Sequence, residues 1–416
     1  SKGRGRRARH RQGTLLGEVN ETGRVYLSFD VHAATCVLGA MREDGTWLGE
    51  ARLPTEAAAL QKAVAGIKSP DIWLTFEEGG MSLWLCDLLR PLVQRLLVCD
   101  PRENASIARS AKKRDEWDVR ELCRLFRLGE LKEVWHSTDP ARNALLLAAE
   151  TYLQLRKEAT RLKSVLKAWY RRGGVMVRGS TAYSGKGRKN WLELLPSGPL
   201  REGARLQYTV LDALEQQRDK AWQQVAARGR DFPEIARFMA SPGIGPVGAH
   251  LFSALIGDPW RFTTRQQLWR YCKLGITDRT SDGKPLGYER LERHGQGELK
   301  AVSYHAWKGA IVAKDNEIKR WYEASLARTG SARHARLNCP RSAQAPQLPA
   351  ASSGGCYQEA AVAAGRSQRK IIELMWTLWR SGQDYDPQRF AGPPSAAETT
   401  KPATATPEPN TLPAAA

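Results

Sequence analysis

The 416 residues predict a mixed-sheet α/β domain, then a long helical arm, then a mainly helical domain. Three observations carry this. Between Val25 and Asp100, short β-prone runs follow one another and then alternate with helical ones, the pattern of a mixed sheet. Between Asp139 and Arg228, two long helical stretches flank a basic connector. From Asp231 onward, helical periodicity dominates. A chain of this length suits two or three domains.

The elements follow in order. Ser1–Gln12 is basic and glycine-containing, with no apolar core behind it, so residues 1–20 predict a disordered arm rather than a secretory leader. Val25–Val31, Cys36–Met41 and Thr46–Leu53 read as three consecutive strands, the last two separated by the turn Arg42-Glu-Asp-Gly45. Thr55–Ala65 is alanine-rich and helical, Asp71–Phe76 a fourth strand, Met81–Leu89 a helix and Arg95–Cys99 a fifth strand. Glu116–Leu128 is amphipathic, with Val119, Leu122, Cys123, Leu125 and Phe126 on one face. This first domain spans 21–135. The arm, 136–230, holds the helices Asp139–Tyr170 and Leu206–Arg228 around the connector Arg171–Arg205. In the connector, Lys186, Arg188 and Lys189 are candidates for holding a nucleic-acid backbone. The last domain spans 231–390, with a Ser/Ala/Pro/Gln-rich insertion near 330–357 and an amphipathic helix over Ala360–Trp379. The tail 391–416 is too rich in Pro, Ala and Thr to build a core.

Charge narrows the function classes. There are 64 Lys and Arg against 44 Asp and Glu, a net +20, which suits a polyanionic partner. An apolar content of 42% excludes a wholly disordered chain. The best membrane candidate, Ala144–Leu155, is short and carries Glu150, so no membrane span is expected. Seven scattered cysteines without a Cys-x-x-Cys pair predict reduced thiols used as small hydrophobes. No zinc spacing occurs. Gly179…Gly185-Lys186 misses the P-loop by one residue and has Gly187 where a hydroxyl must hold magnesium, so ATP hydrolysis is not expected. A ribosomal-type binder and a nucleic-acid enzyme remain.

The acids favour the enzyme. Asp30 lies at the end of the first strand and Glu77 after the fourth. Asp115 and Asp118 open the helix after the fifth strand, three apart and therefore on one face. In a ribonuclease-H-like (RNase H-like) sheet, strands one and four are neighbours, which sets Asp30 beside Glu77. Four clustered carboxylates repel one another and need cations. Two Mg²⁺ ions suit such oxygen donors and clamp a phosphodiester for in-line displacement. Glu78, Asp100 and Glu121 compete for these roles, and Asp115 also reads as a helix cap.

In the last domain, Ser241-Pro-Gly-Ile-Gly-Pro-Val-Gly248 resembles the hairpin of helix-hairpin-helix motifs, with Gly243 and Gly245 exposing backbone N–H groups to phosphate. An ordinary helical corner is the competing reading. Gly257–Phe262 and Leu268–Gly275 carry aromatics and arginines that either stack on bases or pack a core. The loop Thr277–Lys284 offers Arg279 and Lys284 as phosphate donors.

Together these segments resemble the DEDD transposases of insertion-sequence family 110, the bridge-RNA-guided recombinases. Phe29-Asp30-Val31 resembles the family's first Asp motif, Glu77-Glu78-Gly79-Gly80 its Glu-x-x-Gly, and Lys113-Arg114-Asp115-Glu116-Trp117-Asp118-Val119 its Lys-Thr-Asp-x-x-Asp-Ala. The Pro-Gly-Ile-Gly, Ile-Gly-Asp…Arg-Phe and Gly-Leu-type segments match in order, from about Val25 to Tyr385. The resemblance implies a RuvC-like first domain, a coiled-coil arm and a transposase domain. It favours Glu77 over Glu78 and makes Ser281, in Thr280-Ser281-Asp282-Gly283, the match to the nucleophile. Asp282 departs from the family's Ser-Gly, as do Glu78, Gly79 and Val119 from its commoner residues. It further implies Mg²⁺, donor and target DNA, a structured noncoding guide RNA, a homodimer or tetramer, and a bacterial cytoplasmic, nucleoid-associated setting. A RuvC-like junction nuclease using water and a non-catalytic RNA-binding protein are the rival readings.

Overall fold

The computed structural model describes residues 19–102, 115–277, 280–281, 284–285, 290–329 and 366–387. The chain divides into two units, Ser1–Asn143 and Ala144–Ala416. In the first come β1 (Val19–Asn20), β2 (Val25–Val31), β3 (Thr35–Arg42), β4 (Trp47–Pro54) and α1 (Ala57–Ala65). They are followed by β5 (Ile67–Lys68), β6 (Ile72–Glu77), α2 (Ser82–Leu89), β7 (Arg95–Cys99) and α3 (Asp115–Leu128). Five strands form a mixed sheet in the order β4-β3-β2-β6-β7. Short turns join β2, β3 and β4, so these pair antiparallel. β6 and β7 each return after a helix; β6 adds parallel to β2, and β7 parallel to β6. The sequence reading missed the two-residue parallel pair β1–β5, which is too short to show a periodicity.

Both faces of β2 are covered, which is why its sequence barely alternates. Leu27 and Phe29 pack with Leu60, Val64, Leu85 and Leu89 of α1 and α2. Tyr26 packs on the other face with Leu122, Cys123 and Phe126 of α3. Gly39 lets α3 approach. A Cβ there would lie 2.6 Å from the Trp47 ring and 3.0 Å from Val119 Cγ2. Cys36, Cys86, Cys99, Cys123 and Cys272 are free and buried, and burial pushes the Cys123 thiol up to about 12. They are core hydrophobes, as expected. Cys339 and Cys356 lie outside the described residues.

The second unit contains a helical hairpin. α4 (Pro140–Arg172) starts at its boundary and has 33 residues, a rod of about 50 Å. After α5 (Gly185–Glu193), α6 (Pro199–Arg228) runs back along it. The pairing is antiparallel. Tyr152 meets Trp222 at a ring distance of 5.7 Å, Lys163 Nζ lies 2.6 Å from Glu215 Oε1, and the Tyr170 and Tyr208 hydroxyls are 2.9 Å apart. The N-terminal part of α4 and the C-terminal part of α6 enter a large core. It is shared with α7 (Pro233–Met239), α8 (Pro246–Ile256) and α9 (Arg265–Tyr271). α10 (Gly297–Val312), α11 (Glu317–Thr329) and α12 (Arg366–Ser381) complete it. The buried residues of α12 are Ile371, Ile372, Met375, Trp376 and Leu378. The insertion expected near 330–357, the tail 391–416 and most of the arm 1–20 lie outside the described residues. No described helix is long and apolar enough to cross a membrane.

Candidate functional site

Two of the acids expected in the first unit, Asp30 and Glu77, lie at neighbouring strand ends. Phe29 of β2 and Phe76 of β6 are the last registered pair, so Asp30 and Glu77 are the next residues of two neighbouring parallel strands. Side chains alternate along strands, so Asp30 shares a face with Ser28 and Tyr26, and Glu77 with Thr75 and Trp73. These are the same face, since the Tyr26 and Trp73 rings meet at 5.7 Å.

α3 lies across that face, with its first turn at the acidic end. Phe126 touches the Tyr26 and Trp73 rings at 5.6 and 5.8 Å. Cys123 Sγ lies 3.4 Å from Tyr26 O and 3.2 Å from Ser28 Oγ. Ser28 Oγ donates to Val119 O at 2.6 Å. The helix therefore runs opposite to β2 and brings Asp118, 8% exposed, toward the ends that carry Asp30 and Glu77. Asp115 opens the same helix, and its side chain lies outside the described residues. Asp30 Oδ2 is 3.3 Å from His32 Nε2.

The competing acids have other partners. Arg102 donates to both carboxylate oxygens of Asp100 and holds it below the usual carboxylate range. Arg124 grips Glu121 through two bonds of 2.9 and 2.7 Å. Glu78 lies 3.7 Å from His136 Nε2. Among the described residues, no group of three or more His, Cys, Asp and Glu is placed to hold a metal ion. The acids at the sheet end are nonetheless all hard oxygen donors, the type that Mg²⁺ takes.

Ser281 belongs to the second unit. It ends β9 (Thr280–Ser281), which pairs antiparallel with β10 (Lys284–Pro285) in the register Ser281↔Lys284. Outside this pair, β8 (Ile276–Thr277) meets β11 (Arg290–Leu291). Ser281 is thus the last residue of its strand. Asp282, Gly283, Arg279, and the side chains of Ser281 and Lys284 lie outside the described residues. The base of the ribbon is anchored by Glu292 N–H on Gly275 O at 2.9 Å and Gln296 N–H on Tyr271 O at 2.6 Å. Sequence reading found this segment only as a polar loop, because two-residue strands carry no periodicity.

The expected nucleic-acid residues separate into two groups. Gly243 has φ +79 and packs so tightly on α10 that a Cβ would lie 2.1 Å from Ala306 O. Close packing on α10 therefore requires glycine at this corner. Gly245 caps α8 with open space around it. In the connector, Ser184 caps α5 by accepting from Gly187 N–H, a helix that the Gly/Lys/Arg composition concealed. On α5, Arg188 turns to α6. It bonds Asp212 Oδ2 at 2.5 Å and the Tyr183 carbonyl, and its guanidinium lies 4.8 Å from the Tyr208 ring centroid. Lys186 and Lys189 are exposed. Arg188→Ala is therefore expected to lower the thermal stability of the arm by about 1–2 kcal/mol. Lys186→Ala is expected to leave melting unchanged and to lower the log–log salt slope of nucleic-acid binding by about 1. Thermal melts and salt titrations of the two variants check this pair.

No curated protein matches the sequence. Residues 235–323 match the model of the transposase IS116/IS110/IS902 family. This segment runs from α7 into α11 and encloses the Pro-Gly-Ile-Gly corner, the Trp260 turn and the Ser281 ribbon. Residues 235–323 of the second unit are thus similar to the transposases of the insertion-sequence 110 family.

Proposed function

We propose that this protein is a transposase that cuts and rejoins DNA strands with the acids of an RNase H-like, RuvC-like domain and a serine nucleophile. The observation that carries the reading is the register of β2 with β6, which aligns Asp30 with Glu77 beneath the first turn of α3. The strand order, with three antiparallel strands and then β6 and β7 added parallel in turn, supports the RNase H-like assignment. Asp30, Glu77, Asp115 and Asp118 would hold Mg²⁺, which supplies Lewis-acid stabilisation of a phosphodiester under attack. Ser281 Oγ loses its proton as it bonds phosphorus, and the displaced DNA oxygen leaves as a hydroxyl. Attack by a DNA hydroxyl on the phosphoserine then rejoins the strand and frees the serine. The resemblance adds a structured noncoding RNA that selects donor and target by pairing, while the exposed lysines of α5 hold backbone. It also adds a dimer or tetramer, since strand exchange needs several active sites.

The test is a covalent one. The wild-type protein, given donor and target DNA, guide RNA and Mg²⁺, should yield a protein–DNA adduct. Ser281→Ala should lose the adduct and drop strand exchange by about a thousand-fold or more. Cleavage that persists in Ser281→Ala without an adduct would establish the water-using nuclease instead.

A further inference from the structure

Trp260 is 62% exposed. It sits in the turn Gly257–Phe262, where the Asp258 carboxylate accepts its backbone N–H at 2.8 Å and sets the direction of the chain. One face of the ring is occupied. The Arg380 guanidinium lies 4.3 Å from the Trp260 centroid and 4.6 Å from that of Trp376. Trp376 is buried, and its Nε1–H donates to Pro259 O at 2.7 Å. A buried ring, a guanidinium and an exposed ring thus form a ladder that rises out of the core. Packing explains its lower two steps. It does not explain the third, because burying an indole contributes to stability only where the ring leaves water.

Further arginines meet aromatic rings in the same unit, one of which, Arg265, also lies 3.4 Å from Glu373 Oε1. Arg261 stacks on Tyr271 at 4.5 Å, and Arg265 and Arg369 lie 5.6 and 5.3 Å from the Trp269 ring. Flat π-faces among guanidinium groups suit a strand whose bases stack and whose phosphates are anionic. A duplex does not fit the step, since its bases are already stacked on both sides. The turn lies within the segment matched to a transposase family, whose substrate is DNA.

We infer that Trp260, braced by Arg380, is a stacking platform for an unpaired base of single-stranded DNA. The platform goes beyond the proposed strand chemistry. It needs neither metal nor Ser281, so binding measured without Mg²⁺ stands or fails separately from that reading.

The experiment uses the full chain and fluorescence anisotropy with a labelled oligo-dT strand, a duplex and an abasic strand of equal length, all without Mg²⁺. Trp260→Ala should bind oligo-dT about ten-fold more weakly, and Trp260→Phe should keep most of the affinity. Affinity for the duplex and the abasic strand should not change. The salt slope should also stay the same, because no phosphate contact is lost. The wild-type protein should itself lose a similar factor from oligo-dT to the abasic strand, which tests the platform without any variant. Unchanged oligo-dT binding by Trp260→Ala would overturn the inference, as would an equal loss on the duplex. A dependence on Trp260 seen with oligo-U and absent with oligo-dT would overturn the assignment to DNA.

Discussion

Asp30→Asn and Asp118→Asn are each expected to reduce Mg²⁺-dependent DNA strand breakage by about a thousand-fold or more. Asparagine keeps the shape of aspartate and removes its charge, so the variants separate ligand chemistry from packing. DNA affinity without metal should hold or rise, because these acids repel phosphate. Glu77→Gln should behave in the same way, because Glu77 continues the strand that pairs with β2 beside Asp30. Asp100→Asn and Glu121→Gln provide the contrast. Their carboxylates are bound by Arg102 and Arg124, and the variants should cut DNA at the wild-type rate. Cleavage assays over a Mg²⁺ series decide the matter. An Asp118→Asn protein that cuts normally would remove the sheet-end acids from the reaction.

Gly243→Ala is expected to destabilise the second unit by about 3–5 kcal/mol, from left-handed strain and overpacking together. The backbone at Gly243 has φ +79, and an added Cβ would lie 2.1 Å from Ala306 O and 2.5 Å from Ala310 N. Both are backbone atoms of α10, so no side chain can swing aside. The approach is mutual, because a Cβ on Gly309 would lie 3.0 Å from Gly243 O. Gly245→Ala, two residues on, meets nothing within 4 Å and has φ −84. It should stay within about 0.5 kcal/mol of wild type. Urea melts of both variants test the contrast. Equal losses would mean that the corner is held by something other than the Gly243–α10 contact.

Much of the fold was legible along the chain. The sequence delimits Val25–Val31 and Arg95–Cys99 to the residue, and the other three strands of the sheet to within one at each end, because strand and turn preferences act over a few neighbours. Helix starts were less legible. α6 begins at Pro199 rather than Leu206, since Pro at the first turn and the polar residues after it carry no apolar stripe. Tryptophans show the limit well. Trp260, Trp269 and Trp376 are alike in sequence, yet Trp260 is exposed, Trp269 packs between Arg265 and Arg369, and Trp376 is buried. Local composition does not encode which ring another helix will cover.

The sequence by itself determined the order of elements, the basic field, the buried thiols and the placing of acids at strand ends. Tertiary structure decided which of these meet. It aligned Asp30 with Glu77, and it laid α3 over β2 through Ser28 and Val119, 91 residues apart. It also turned Arg188 inward to Asp212 and left Lys186 outside. Short-range preferences follow from each residue's own backbone and neighbours. Partners across the chain depend on which faces must leave water together, and only the closed fold settles that.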